Sequence, residues 1–446
     1  MYRLVNSFIG FVNTKRKVLL TTPNRRSFGE CANDMYYGLL KAQHDSKKVL
    51  FLYPRPFIFK RLGFSLHNHE LFDLESEYTI SSNGFSGFIL GSILTIYVFF
   101  LYCVYELRHS SFLRRVFKPI WPAMKIDSGY SVPQIGRPEL WKPYAINNFS
   151  WDIVEKQNWS KRHEEYTPPK LKVSKLRQAE KVRIQMGIGL NEWFVCLHVR
   201  ALESKPVRNA SIQNYVEGIK AITDAGGWVV RLGEPRLPNL PVMERVIDYA
   251  HSSYKSELMD IYLISECRFF LGHSSGPNIL ANLFRKPLLL VNMTEWVAST
   301  LLKKGDLGIM KHVFSYSRNR YLGIKEVLEE PSLVQFDGIP AEDYEIVENS
   351  SEEIREAIEE FLTRQEPYVY SISQNIYNEV RMKELRRCLE KGEPTFVKGI
   401  PEKNLYLERY RTAADIFAHG TICENYLKKN WLIDKNKRLI LKLDLD

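Results

Sequence analysis

The chain has 446 residues, 45% of them hydrophobic, and a formal net charge of +10 from 62 Lys and Arg against 52 Asp and Glu. That apolar content excludes a disordered chain and is enough for the cores of two or three domains. The six cysteines (Cys31, Cys103, Cys196, Cys267, Cys388 and Cys423) stand singly without CxxC spacing, which argues against a disulfide framework or a zinc site and for buried free thiols in a reducing compartment.

Residues 18–54 read as the strand, helix and strand that open a soluble nucleotide-binding fold. Residues 85–105, FSGFILGSILTIYVFFLYCVY, carry no charge and as a helix would reach about 30 Å, the thickness of a bilayer's hydrocarbon core. Glu70, Asp73, Glu75 and Glu77 precede this segment and Arg108, Arg114, Arg115 and Lys118 follow it, so the positive-inside rule puts its carboxyl side at the cytoplasmic face. If the residues on either side build one domain, a full crossing would separate its halves. A monotopic insertion is therefore favoured over a span, with a buried core helix as the alternative. The first 120 residues hold 16 basic and 8 acidic groups, so most of the positive charge lies near this segment, where it suits an anionic membrane surface. Nucleic acid is the competing partner for a basic surface, but no helix-turn-helix, zinc-finger or RNP pattern accompanies these charges, and no nucleic acid is expected.

Residues 121–169 are rich in Pro, Asn and aromatic side chains without a sustained period, and the Thr167-Pro168-Pro169 run marks a linker. A helix over 174–186 follows, ended by Gly187 and Gly189. Short apolar runs then alternate with helical patterns: strands at 193–199, 228–232, 246–249, 269–272 and 287–291, and helices at 211–225, 256–266 and 276–284. This alternation predicts an α/β fold with a parallel, doubly wound sheet, in which ligands bind outside the carboxyl ends of the strands. Those ends carry His198 and Arg200, then Arg231 and Gly233, then His273, Ser274, Ser275, Gly276 and Asn278. A Ser- and Gly-rich turn into a helix offers backbone N–H groups and the positive end of a helix dipole, and arginines offer bidentate donors; together they suit a diphosphate. The same turn also serves as a plain N-cap. Beyond it, Ser350 and Glu353 form a capping-box pattern before an amphipathic helix with Ile354, Ala357, Ile358 and Phe361 on one face.

The motifs HVR (198–200), RNASIQNY (208–215), GGWVVRLGE (226–234), VIDYA (246–250) and MDIYLISECRFFLGHSSG (259–276) resemble a family of bacterial glycosyltransferases of the GT-B type. SGPNILANLFRKPLLLV is similar to the donor loop of heptosyltransferases, and HVR to an element of GDP-fucose-dependent fucosyltransferases. The resemblance implies two Rossmann-like domains facing across a cleft, with an acceptor in the first and a nucleotide-sugar donor in the second. It implies that Arg200 and Arg231 neutralise the donor diphosphate and that Ser274, Ser275 and Gly276 cradle it, with Arg208, Asn209, Gly233, Asp260 and Asn278 in the same donor site. Ala201 and the Asn278-Ile279 pair depart from the two related patterns, which leaves the sugar open.

The expected division is 1–170 for an amino-terminal, acceptor-side domain carrying the 85–105 segment, 171–340 for the donor domain and 341–446 for a helical extension. The expected activity is a membrane-associated glycosyl transfer from a nucleotide-diphosphate sugar to a lipid-linked or cell-surface glycan at the cytoplasmic face. No cofactor or metal is expected, because the sole Asp-x-Asp, at Asp444 and Asp446, lies at the chain's end. Glu30 is the candidate base for the acceptor hydroxyl; its other reading is an acid favoured in a helix's first turn. A nucleotide-sugar epimerase of the same fold and a catalytically silent membrane scaffold are the alternatives.

Overall fold

The computed structural model describes residues 17–21, 28–51, 68–81, 84–85, 87–93, 166–201, 206–235, 237–273, 275–294, 301, 303–329, 343–390 and 420–431. The chain forms two compact units, Met1–Ile153 with Tyr166–Lys172, and Val154–Glu165 with Val173–Asp446.

In the first unit, strand β1 (Val18–Thr21), helix α1 (Phe28–His44) and strand β2 (Lys48–Phe51) form a βαβ element, the two strands pairing parallel from Val18 with Lys48 to Thr21 with Phe51. Cys31, Ala32, Met35, Tyr36 and Leu39 of α1 are buried at the helical spacing expected of a helix covering a sheet, and Tyr36 meets the Tyr166 ring edge-on at 5.1 Å. Of the apolar 85–105 segment only the beginning falls within the described residues. Residues 87–93 are helical there, and Phe85, Phe88, Ile89 and Ile93 are exposed. Residues 94–105 lie outside the described residues, and among the described ones no helix is long and apolar enough to cross a membrane.

The second unit is Rossmann-like. After α2 (Val173–Gln185), strands β3 (Phe194–His198), β4 (Trp228–Leu232) and β5 (Val246–Ile247) are laid side by side, with α3 (Val216–Asp224) joining the first pair. Helix α4 (Glu257–Glu266) carries the chain back to the other side of β3, where β6 (Phe269–Gly272), α5 (Gly276–Leu283), β7 (Leu288–Met293) and β8 (Leu307–Met310) follow. All pairs in this sheet are parallel. The resulting order reverses between β3 and β6, which makes that gap the topological switch point where open α/β sheets bind ligands. The strands are apolar on both faces because helices cover both: Val195, Leu197, Val229, Val230, Phe270, Leu271, Leu289 and Leu290 are fully buried. Each such side chain contributes about 1.5–3 kcal/mol of burial.

The remainder of the chain belongs to the same unit. Strands β9 (His312–Ser315), β10 (Arg320–Tyr321) and β11 (Tyr344–Val347) make a small antiparallel sheet, with α6 (Ile324–Glu329) after β10. The capping box forms at α7 (Ser351–Thr363): Ser350 Oγ accepts the Glu353 N–H at 3.2 Å, and the Ser350 N–H donates to Glu353 Oε2 at 2.9 Å. Ile354, Ala357, Ile358 and Phe361 point inward, and α7 packs on α3. The tail read from sequence as a helical extension is instead tied into the sheet. After α8 (Ile372–Glu390), strand β12 (Thr421–Ile422) pairs parallel with β8 and α9 (Glu424–Asn430) follows. A two-residue strand gives too short an apolar run for periodicity to detect.

Candidate functional site

Two strand ends meet at the switch point. Gly272, the last residue of β6, approaches β3 so closely that a Cβ would lie 2.8 Å from the His198 carbonyl oxygen. Gly272→Ala is expected to push the strand ends apart and destabilise by about 1–3 kcal/mol, measurable as a lower melting midpoint. The segments leaving the two strands are cross-linked. The Arg200 N–H donates to Nε2 of His273, a side chain 1% exposed, at 2.5 Å, and the Arg200 carbonyl accepts the Ala210 N–H at 3.0 Å. Nδ1 of His198 and the Ser275 hydroxyl are 3.0 Å apart. Thus His198, Arg200, His273 and Ser275 gather at one point, as the sequence predicts for strand-end residues. Gly276 opens α5, Pro277 lies in its first turn and the side chain of Asn278 is buried. Ser274 lies outside the described residues.

Burial, and then the charges of Arg231, Arg200 and Lys255, depress the His198 imidazole from 6.5 to about 4. His198 is therefore neutral at pH 7. A base whose folded pKa lies below its unfolded value contributes stability that is complete above about pH 6.5 and is lost as pH falls toward 4. At about 1.4 kcal/mol per tenfold change in proton affinity, the loss is on the order of 3 kcal/mol. His198→Gln should flatten the melting midpoint's fall over this window, which melts at stepped pH will read.

Arg231, expected from sequence to face a diphosphate, is instead captured by protein groups. Its side chain is 1% exposed, with one guanidinium nitrogen 2.9 Å from Asp248 Oδ1 and the other donating to the Pro238 carbonyl at 2.9 Å. Asp248 Oδ2 accepts the Leu240 N–H and lies 3.0 Å from His251 Nδ1, whose Nε2 is 2.8 Å from the Pro235 carbonyl. Burial alone would raise the Asp248 carboxyl; the Leu240 N–H, Arg231 and His251 outweigh it and hold the group below its usual range. Gly233 begins this loop at φ 139°, a conformation essentially reserved for glycine.

The braced loop walls a cavity of about 510 Å³ against the start of α4, lined by Pro235, His251, Lys255, Ser256 and Asp260 among others. Ser256 caps α4 through its hydroxyl, accepting the Met259 N–H at 3.2 Å, so Asp260 lies in the first helical turn and not mid-helix. Tyr249 Oη donates to Asp260 Oδ1 at 2.9 Å and Lys255 Nζ is 3.5 Å away; burial nevertheless lifts the carboxyl above its usual range. Arg208 ends a short 3₁₀ turn, and the Asn209 carbonyl receives a 2.5 Å hydrogen bond from Lys311, a buried lysine just beyond β8. Glu30 lies in the first turn of α1, and its side chain falls outside the described residues.

Asp248, His251, Lys255 and Lys311 escaped the sequence reading. The VIDYA motif contained Asp248, and an acid just beyond a strand, level with the arginine ending its neighbour, was the available signal. Chemically, the crevice presents a helix start, a fixed Arg200 backbone and a neutral imidazole, beside a cavity holding a carboxylate and an ammonium. Among the described residues no group of three or more His, Cys, Asp or Glu side chains is placed to hold a metal ion. Comparison of the chain with family models, curated proteins and solved structures gives no match. The functional reading therefore rests on this geometry.

Proposed function

We propose that the chain is a membrane-associated glycosyltransferase that moves a sugar from a nucleotide-diphosphate donor to a lipid-linked or cell-surface glycan, without a metal. The observation that carries this reading is the switch point itself: Arg200, two residues past β3, and the start of α5 flank the place in the sheet where the strand order reverses. A diphosphate there would meet the α5 N–H groups around Ser275 and Gly276 and the Arg200 guanidinium. Arg208 and Asn209 would border it, and Asp260 in the adjoining cavity would accept sugar hydroxyls. In this reading Arg231 positions the 233–251 loop through Asp248 and does not touch the donor.

Transfer breaks the bond from the anomeric carbon to the diphosphate oxygen, which leaves with the electron pair, while the acceptor oxygen bonds to that carbon. The acceptor's proton passes to a general base. Fixed donors at the leaving diphosphate stabilise charge as it develops. The membrane part of the reading is supported by the exposed apolar stripe Phe85, Phe88, Ile89 and Ile93 and by the basic residues around it.

The test is a melting screen of detergent-purified protein against UDP, GDP, CMP, ADP and dTDP, with and without divalent metal. A rise with one nucleotide, independent of metal, is expected; at 100 times its dissociation constant a ligand stabilises by about 2.7 kcal/mol. No rise with any of them would refute a donor site.

A further inference from the structure

The opposite end of the same sheet carries a second cavity that the proposed transfer does not use. It measures about 510 Å³ and opens at the amino-terminal ends of β6, β7 and β8. Five cations line it, Arg268, Arg285, Lys303, Lys304 and Arg364, against two carboxylates, Asp306 and Glu366. Helix carboxyl ends favour cations, which accounts singly for Arg268 after α4, Arg285 after α5 and Arg364 after α7. It does not account for Lys303 and Lys304, which come from the turn entering β8.

Both carboxylates are committed within the protein. Asp306, 1% exposed, accepts the N–H groups of Leu288 and Lys303 at 2.9 Å each and lies 3.6 Å from Lys303 Nζ. Glu366 sits 3.3 Å from Arg364 Nε. Arg268 and Lys304 are exposed and lie over the Trp193 and Tyr370 rings at 4.4 and 5.3 Å, and among the described residues neither forms an ion pair. The cations also disfavour one another. Burial is the main reason that Arg364 and Lys303 lie below their usual ranges, and the charges of Arg268 and Arg285 push the same way. A bound anion would relieve both costs.

We propose that this cavity is a second ligand site, for a small phosphorylated anion, at the end of the sheet opposite the crevice. Its two phosphate sources are a soluble phosphate ester and a lipid headgroup, and the site's chemistry is the same for either.

The test uses the full chain in detergent at low salt, with inorganic pyrophosphate as probe. Pyrophosphate should raise the melting midpoint of the wild type and should still raise that of Arg200→Ala, in which the crevice is weakened. In that Arg200→Ala background, Arg268→Gln/Lys304→Gln should weaken the remaining response about tenfold or more, as should raised salt. Lys304→Gln alone, at an exposed side chain, provides the same comparison in smaller measure if the double variant melts early without ligand. Retention on phosphatidylcholine vesicles that contain phosphatidic acid, lost in the double variant, identifies the headgroup as source. A pyrophosphate response without such retention identifies a soluble ester. No response in the wild type, or an equal response in the double variant, overturns the proposal, and loss of the response in Arg200→Ala alone would assign it to the crevice instead.

Discussion

Asp248→Ala is expected to destabilise the second unit by about 3 kcal/mol, the lower end of the range for breaking a buried ion pair. The reason is asymmetry. Arg231 is 1% exposed and would keep its charge with only the Pro238 carbonyl and the His251 ring beside it, whereas the Asp248 side chain is 21% exposed and already partly hydrated. The substitution also frees the Leu240 N–H and the His251 ring, so the loop walling the 510 Å³ cavity loses its brace together with the charge pair. Arg231→Met combined with Asp248→Ala should recover much of the loss, because no buried charge is then left alone. Melting midpoints of the two single variants and the double variant give the coupling directly. The pH profile separates this pair from His198: Asp248's contribution is present above its unfolded value near 3.8 and is lost only as pH falls through its depressed folded value, below the His198 window.

Asn292→Leu should cost about 2–5 kcal/mol, the sum of two effects that a second variant separates. Asn292 and Asn349 are buried at the carboxyl ends of β7 and β11, and each backbone N–H donates to the other's side-chain oxygen at 2.7 Å. Leucine would leave the Asn349 N–H without its acceptor, a loss of about 1–3 kcal/mol. Asn292 also sits at φ 54°, within the register shift between Leu290 and Met293, where a leucine adds roughly 1–2 kcal/mol of backbone strain. Asn292→Gly removes the side chain's hydrogen bonds but tolerates the backbone, so it should melt between the wild type and Asn292→Leu. Equal melting of the two variants would show that the conformation at this position contributes nothing.

The parts of the fold visible in sequence are those where local pattern and tertiary role coincide. Strands β4 and β6 stand where their apolar runs predict them, and Ser350 with Glu353 form the capping box their spacing announces. β5 is shorter than its run, because the chain turns into a 3₁₀ helix at Tyr249. β12 was illegible: it has two residues and is recognisable only by its partner β8, more than a hundred residues earlier. At the site, strand periodicity located His198, Arg200, Ser275 and Gly276 because all follow directly from the ends of adjacent strands. The same reasoning could not tell Arg200 from Arg231. Arg200 lies just past β3 and Arg231 near the end of β4, and only the fold brings Asp248, seventeen residues on, against one of them. Asn292 and Asn349 likewise look like ordinary loop amides until their 57-residue separation closes into a reciprocal pair.

The central claim is that the switch point between β3 and β6 holds a nucleoside diphosphate against Arg200. Calorimetric titration of the nucleotide selected by the melting screen into the wild type and into Arg200→Ala tests it most directly. An affinity lower by about 10–100-fold in Arg200→Ala, the worth of a charge-assisted contact, is predicted. Equal affinity in the two proteins would contradict it.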